Sequence, residues 1–329
     1  MYQDTFPTAE HIRISLTSAL PGEDIILLVC TSISLASLGF LLLTYGRFRR
    51  LRTVPGVNTM WLGGWLLAAQ LLLLTVPHRV ELAAACVALG ALLHYAWLAV
   101  VAWSFVCCLH MFHVFVKRHD RTDARHRQSF YAWRYAAAAH TLPALVVSAV
   151  MASQYLGSRQ EASPDPCRAP VEFYKRLGYG GHVCFLNSPL LRGLGFVLPL
   201  GATIAANLAL LGRTSRQLAR AQRVQSTASG KDPSHAAISA RLASLTGGCW
   251  LLALLAEVSG WPWLRYGSAV LQGLQGLHLA VSYCGNRRVA GLWCDWLVHR
   301  LYPASSQTQT SQIPLDSISY DRGNANMEP

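Results

Sequence analysis

Long apolar runs alternate with short polar stretches over the first 284 positions of the chain. Seven runs reach the roughly 20 residues that a helix needs to cross a hydrocarbon core about 30 Å thick. They lie at approximately 24–46, 56–77, 82–116, 130–152, 190–212, 242–262 and 264–284. Each predicts a membrane-spanning α-helix, because a helix satisfies its own backbone where no water is available. The third run exceeds what a span requires, so it should tilt or project past the membrane. After residue 284 the pattern changes. Val289, Leu292, Trp293, Trp296 and Leu297 recur with the spacing of one helical face, and Arg287, Arg288 and Arg300 lie near its ends. This spacing predicts a helix lying on the membrane surface. Beyond Pro303 the chain is rich in Ser, Thr, Gln and Asn, a composition expected to be disordered. The expected fold class is all-α: a seven-transmembrane helix bundle with a C-terminal amphipathic surface helix. Its expected divisions are a short extracellular N-terminus (1–23), the bundle (24–284), a juxtamembrane helix (285–302) and a cytoplasmic tail (303–329).

Charge then sets the direction of the bundle. Of the 329 residues 52% are apolar and 13% charged, about half the usual share of charged residues in a soluble domain. The net charge of +12 would suggest nucleic-acid binding in a soluble protein, but here the charges sit between apolar runs, so no nucleic-acid partner is expected. With the N-terminus outside, 20 of the 28 Lys and Arg residues fall on the cytoplasmic side and eight outside. The positive-inside rule selects this orientation, a multi-pass protein of the plasma membrane with an extracellular N-terminus. Residues 1–24 include Asp4, Glu10, Arg13, Glu23 and Asp24 and hold no apolar core long enough for a cleavable signal, so the first span is expected to act as the targeting signal. No internal repeat suggests a transporter's inverted halves.

Specific strings narrow the class. The third run contains Leu92-Leu93-His94-Tyr95, Trp103 and Leu109-His110-Met111-Phe112. The fourth holds Leu142-Pro143-Ala144, and the fifth Pro199 and Asn207. The seventh holds Leu274-Gln275-Gly276, followed by Tyr283-Cys284 and Asn286-Arg287-Arg288-Val289. Taken in order, from about residue 25 to 290, these strings resemble the adhesion and Methuselah-like G protein-coupled receptors of the secretin-like class. The chain departs from that pattern at Cys107, where such receptors usually carry Glu, at Gly56 in place of a second-helix His, and at His140 in place of a fourth-helix Trp. About 23 residues precede the first span, so the large autoproteolytic domain of adhesion receptors is not expected.

The resemblance implies site residues. Cys86 opens the third helix and Cys184 lies in Cys184-Phe185-Leu186, similar to the family's Cys-Trp-Leu. A Cys86–Cys184 disulfide is implied on the oxidising side, with Cys167 as an alternative partner and two free thiols as the bland reading. Glu257 is the one acid placed well inside a span, where an ionised group costs on the order of 3 kcal/mol, so it should face the bundle interior. Trp250, Leu254, Glu257 and Trp261 share a stripe of the sixth helix. The ligand-pocket candidates are Trp97, Trp250, Glu257 and Gln272; the bland reading of Glu257 is a proton-sharing partner of His94 or of a neighbouring helix. Arg213, Arg216, Arg220 and Arg223 form a basic stripe extending the fifth helix, suited to anionic lipid or to a G protein. With His110 and Arg241, Arg213, Arg216 and Arg220 are the coupling candidates. Cys284 and Cys294 are palmitoylation candidates or plain packing thiols.

No enzyme, cofactor or metal is expected. Cys107, Cys108, His110 and His113 spread around one helix instead of converging as zinc ligands must. The expected function is a receptor that transduces an unidentified extracellular ligand to a heterotrimeric G protein, in contact with membrane lipids. Two alternatives stand beside it. One is a non-signalling or scaffold-type seven-helix protein derived from the same class, motivated by Cys107 and Gly56. The other is an intramembrane metal hydrolase, which would require His94, His110, His140, His278 and Glu257 to cluster.

Overall fold

The computed structural model describes residues 21–75, 83–116, 124–161, 178–179, 184–225 and 248–301. Its helices are α1 (Pro21–Arg47), α2 (Val54–Thr75), α3 (Ala83–Val116) and α4 (Ala124–Glu161). Then come α5 (Pro189–Arg192, a π-helical turn Gly193–Val197, and Leu198–Gln225) and α6 (Cys249–Ser259). Last are α7 (Pro262–Gly273 and Gln275–Cys284) and α8 (Arg287–Leu301). Expected residues 1–20, the tail from 302 onward and Arg241 lie outside the described residues.

The described residues up to Cys284 form one compact unit. Within it α3 packs on α2, α4 and α5, α6 packs on α7, and α7 returns to α1 and α2. The bundle wears its apolar residues outside: Leu28, Leu43, Leu142, Leu145 and Leu255 are all more than half exposed. Thr31, Ser34, Asn58, Gln70, His94, Ser104 and Asn207 are buried. That arrangement suits lipid as the surrounding solvent, since exposed apolar surface on this scale would associate in water. Among the described residues five helices are long and apolar enough to cross a membrane: Ile25–Arg47, Val54–Leu74, Ala84–Val114, Ala132–Leu156 and Pro189–Thr214. α6 is described over only 11 residues, and α7 is interrupted.

The interruption has a specific hydrogen-bond cause. In an unbroken helix the Gly276 N–H would donate to the Gln272 carbonyl. Instead it donates to Ser34 Oγ at 2.8 Å, and Gln70 Nε2 donates to the Gln272 carbonyl at 3.4 Å. Ser34 Oγ in turn donates to Gln70 Oε1 at 2.8 Å, closing a ring of side chains from α1 and α2 around the bend. Both flanking glycines are needed for this approach. A Cβ on Gly273 would lie 2.5 Å from Cys30 Cβ, and one on Gly276 would strike Ser34 Oγ.

At the other end of α1, Arg52 donates from its guanidinium to the carbonyls of Tyr45 and Gly46, satisfying acceptors that the helix terminus leaves open. The single turn Arg49–Leu51 then brings the Leu51 carbonyl onto Gly56, where any Cβ would collide with it. The departure at Gly56 therefore has a local steric reason. α8 belongs to a separate unit beginning at Gly285. Asn286 Oδ1 accepts from the Val289 N–H at 2.9 Å as its N-cap, and Trp293 and Trp296 pack edge to face.

Candidate functional site

At the end of the bundle where α3 begins, a loop segment is fastened to three helices. Cys184 is disulfide-bonded to Cys86 with the Cα atoms 4.9 Å apart, the pairing implied by the sequence. Tyr179 and Leu186 form an antiparallel bridge. Asn187 closes it, donating its N–H to the Gly178 carbonyl and accepting the Gly178 N–H on Oδ1, both at 3.0 Å. Gln154 of α4 reads the Tyr179 backbone twice, accepting its N–H at 3.2 Å and donating to its carbonyl at 3.3 Å. Arg192 Nε of α5 donates to the Leu186 carbonyl at 2.9 Å. Gly90 makes room on α3, since a Cβ there would lie 2.9 Å from the Cys184 carbonyl oxygen. Tyr179, Cys184 and Leu186 are each at most 2% exposed, so the segment is packed into the bundle and not draped over it.

His94, fully buried on α3, ties the loop to α5. Its Nε2 lies 3.1 Å from the Gly195 carbonyl, which can only accept, so Nε2 carries the proton. Nδ1 is then the acceptor in the neutral ring, and the Tyr179 hydroxyl donates a hydrogen bond to it at 2.7 Å. The Gly195 carbonyl is free to accept because of the residue four positions on. Pro199 has no N–H to donate to it and crowds it, and the helix relaxes into the π-turn Gly193–Val197. Burial pushes the Tyr179 phenol above its usual range, so it stays a donor. Both ring nitrogens of His94 are thus engaged, by Tyr179 and by Gly195.

A chain of aromatic rings runs inward from the loop. Phe185 lies against His94 and Phe196 at centroid distances of 5.9 and 6.1 Å. Phe196 meets Trp250 at 5.8 Å, and Trp250 meets Trp97 edge to face at 5.3 Å. The structure therefore brings together Trp97 and Trp250, two of the four pocket candidates, from α3 and α6. Gln272 sits at the α7 bend, where its carbonyl accepts from Gln70. Glu257 falls seven residues after Trp250 on α6, and its side chain lies outside the described residues. Tyr179, Phe185, Phe196 and Gln154 went unassigned in the sequence. Pro199 was the available signal, because a proline within a helix marks a carbonyl seeking another donor.

A second cluster lies between α2, α3 and α4. His140 Nδ1 is 3.1 Å from the Tyr95 hydroxyl, and its ring packs against Trp61, Trp65 and Trp103. The imidazole that stands in place of the family's Trp is therefore held by an aromatic cage. His94 and His140 are separately engaged, and among the described residues no three metal-capable side chains form a group.

Toward the opposite end Cys107 is buried. His113 Nδ1 is 2.7 Å from the Tyr135 hydroxyl, and His110 packs edge to face on the same tyrosine. Of the other coupling candidates, Arg213 and Arg216 are exposed on the continuous helix Leu198–Gln225, while the Arg220 side chain lies outside the described residues. Cys284 is half-buried at the end of α7 and Cys294 exposed on α8.

An apolar-faced helix bundle with a disulfide-fastened loop over one end of its third helix defines a multi-pass membrane receptor architecture. A family model described as 7 transmembrane receptor (Secretin family) matches residues 22–279. The chain belongs to that family, and its fold is the seven-helix bundle. Among curated proteins, none matches the chain in a sequence comparison.

Proposed function

We propose that the chain is a non-enzymatic, plasma-membrane receptor of the adhesion or Methuselah-like type, with its N-terminus and the Cys86–Cys184 end outside. It passes an extracellular event to a heterotrimeric G protein. The observation that carries this reading is the ring chain Phe185–Phe196–Trp250–Trp97, which links a loop at the outer surface to the interior of α3 and α6. A rearrangement at the loop has a packed route to α6, and packed cores respond to such shifts by switching between arrangements. Trp97, Trp250, Glu257 and Gln272 are the pocket residues on this reading. Arg213, Arg216, Arg220, Arg241 and His110 border the G protein, and the Cys284 and Cys294 thiols are available for acylation beside the inner leaflet. The bundle at 24–284, the surface helix at 285–302 and the flanking segments 1–23 and 303–329 serve these roles.

The second reading, a non-signalling relative, is favoured by Cys107 and Gly56, which remove an acid and an imidazole from the inner polar network that the resemblance implies. Second-messenger output of the full chain in cells, measured against a panel of G proteins, decides between them. Output above mock-transfected cells, lowered by Trp250→Ala at equal surface level, supports the receptor. Silence with every G protein, with surface expression intact, favours the non-signalling form.

A further inference from the structure

We infer that the outer site carries its own occupant: Phe185 of the fastened loop fills the position at which a ligand would otherwise present an aromatic ring to His94 and Phe196. The inference rests on the reading of this end as the ligand-facing end. Three observations carry it. First, the loop is fixed at both sides of Phe185, by the disulfide at Cys184 and by Arg192 on the Leu186 carbonyl, so Phe185 cannot swing away alone. Second, Phe185 is itself half-buried and packed against the cluster of Val150, Tyr179 and Leu186, which seats its ring at the mouth of the bundle. Third, Phe185 contacts two rings of different helices, His94 of α3 and Phe196 of α5, in edge-to-face geometry. That is the arrangement by which an aromatic group is recognised, its positive edge meeting a negative face.

A group held in place by the chain itself acts at an effective concentration on the order of millimolar. A free ligand offering a single aromatic ring, such as an exposed Phe or Trp of a peptide, must therefore outcompete Phe185. The chemical class the site takes is the one the chain already supplies, an uncharged aromatic side chain.

The test uses the full chain in intact cells, with Cys167→Ser to remove a background thiol and Phe196→Cys as reporter. The probe is a charged, membrane-impermeant methanethiosulfonate. With Phe185 in place the reporter should label slowly. Adding Phe185→Ala should raise the labelling rate at least tenfold, and Tyr179→Ala, which frees the loop from His94, should raise it as well. Phe185→Leu, a smaller apolar plug, should give an intermediate rate and guards against loss of folding, with surface staining measured for all forms. Equal rates with and without Phe185 overturn the inference, whether both are fast, as for an open site, or both slow. Labelling needs no G protein, so protection by Phe185 in a chain that activates none would sink the signalling reading and leave the occupant standing.

Discussion

The Tyr179–His94 contact gives the sharpest test of the loop's attachment. Tyr179→Phe removes one hydroxyl and leaves His94 Nδ1, fully buried, without a donor. An unsatisfied buried group costs about 1–3 kcal/mol, so a value near 2 kcal/mol is expected. For a bundle of this size that lowers the unfolding midpoint by roughly 4–8 °C, taking about 2–4 °C per kcal/mol. His94→Phe is worse, because it orphans both the Tyr179 hydroxyl and the Gly195 carbonyl. Combining the two leaves only the carbonyl unmet. The double variant should therefore be no less stable than His94→Phe, and the singles should fall short of additivity by at least about 1 kcal/mol. The buried thiols Cys107 and Cys249 supply the assay: a thiol-reactive fluorogenic dye reports their exposure as purified protein is heated in detergent. Full additivity, or an unchanged midpoint for Tyr179→Phe, would refute the contact. The pH dependence carries a sign as well. Burial raises the Tyr179 pKa on folding, so its contribution is complete below the unfolded value of about 10 and is lost as pH rises beyond it.

Cys86→Ser and Cys184→Ser should each reduce surface expression, and the double variant should be little worse than either, measured by surface staining, because one bridge is lost only once. Gly56→Ala should lower the melting midpoint in the same dye assay by several degrees, since its Cβ meets backbone and not a movable side chain. Replacing Arg216 and Arg220 together by Gln should lower G protein activation at unchanged surface level; altered expression or orientation instead would assign the stripe to lipid. An epitope tag before residue 20 should stain on intact cells and one after residue 310 only after permeabilisation, and the reverse pattern would invert the orientation.

Apolar run length made α1 to α5 legible, because spanning a bilayer constrains length and composition more than most folds constrain anything. Run length says nothing about what interrupts a helix, so the seventh run at 264–284 read as continuous. The bend at Leu274 depends on Ser34 and Gln70, residues far away in the chain with ordinary propensities. The disulfide was legible by resemblance, through Cys184-Phe185-Leu186. Trp97 and Trp250, pocket candidates in the sequence, do meet, but the rings that join them to the loop were not legible, because Phe185 and Phe196 carry no chemistry that a motif search would notice. His94 stood out as a residue of the third-helix motif, yet its partners did not, since a backbone carbonyl freed by a proline leaves no side-chain signature of its own.

The bend in α7 also has a consequence for how the chain is made. Gly276 and Ser34, whose hydrogen bond closes the bend, stand 242 positions apart, and α7 leaves the ribosome after the other six spans. A bent α7 alone in lipid would leave the Gly276 N–H with nothing to bond, at a cost of several kcal/mol. It must therefore enter the membrane straight, with Gly276 bonded to Gln272 in the ordinary way, and exchange that bond for Ser34 and Gln70 only on docking against α1 and α2. The kink belongs to the assembled bundle and forms in the last step of its assembly.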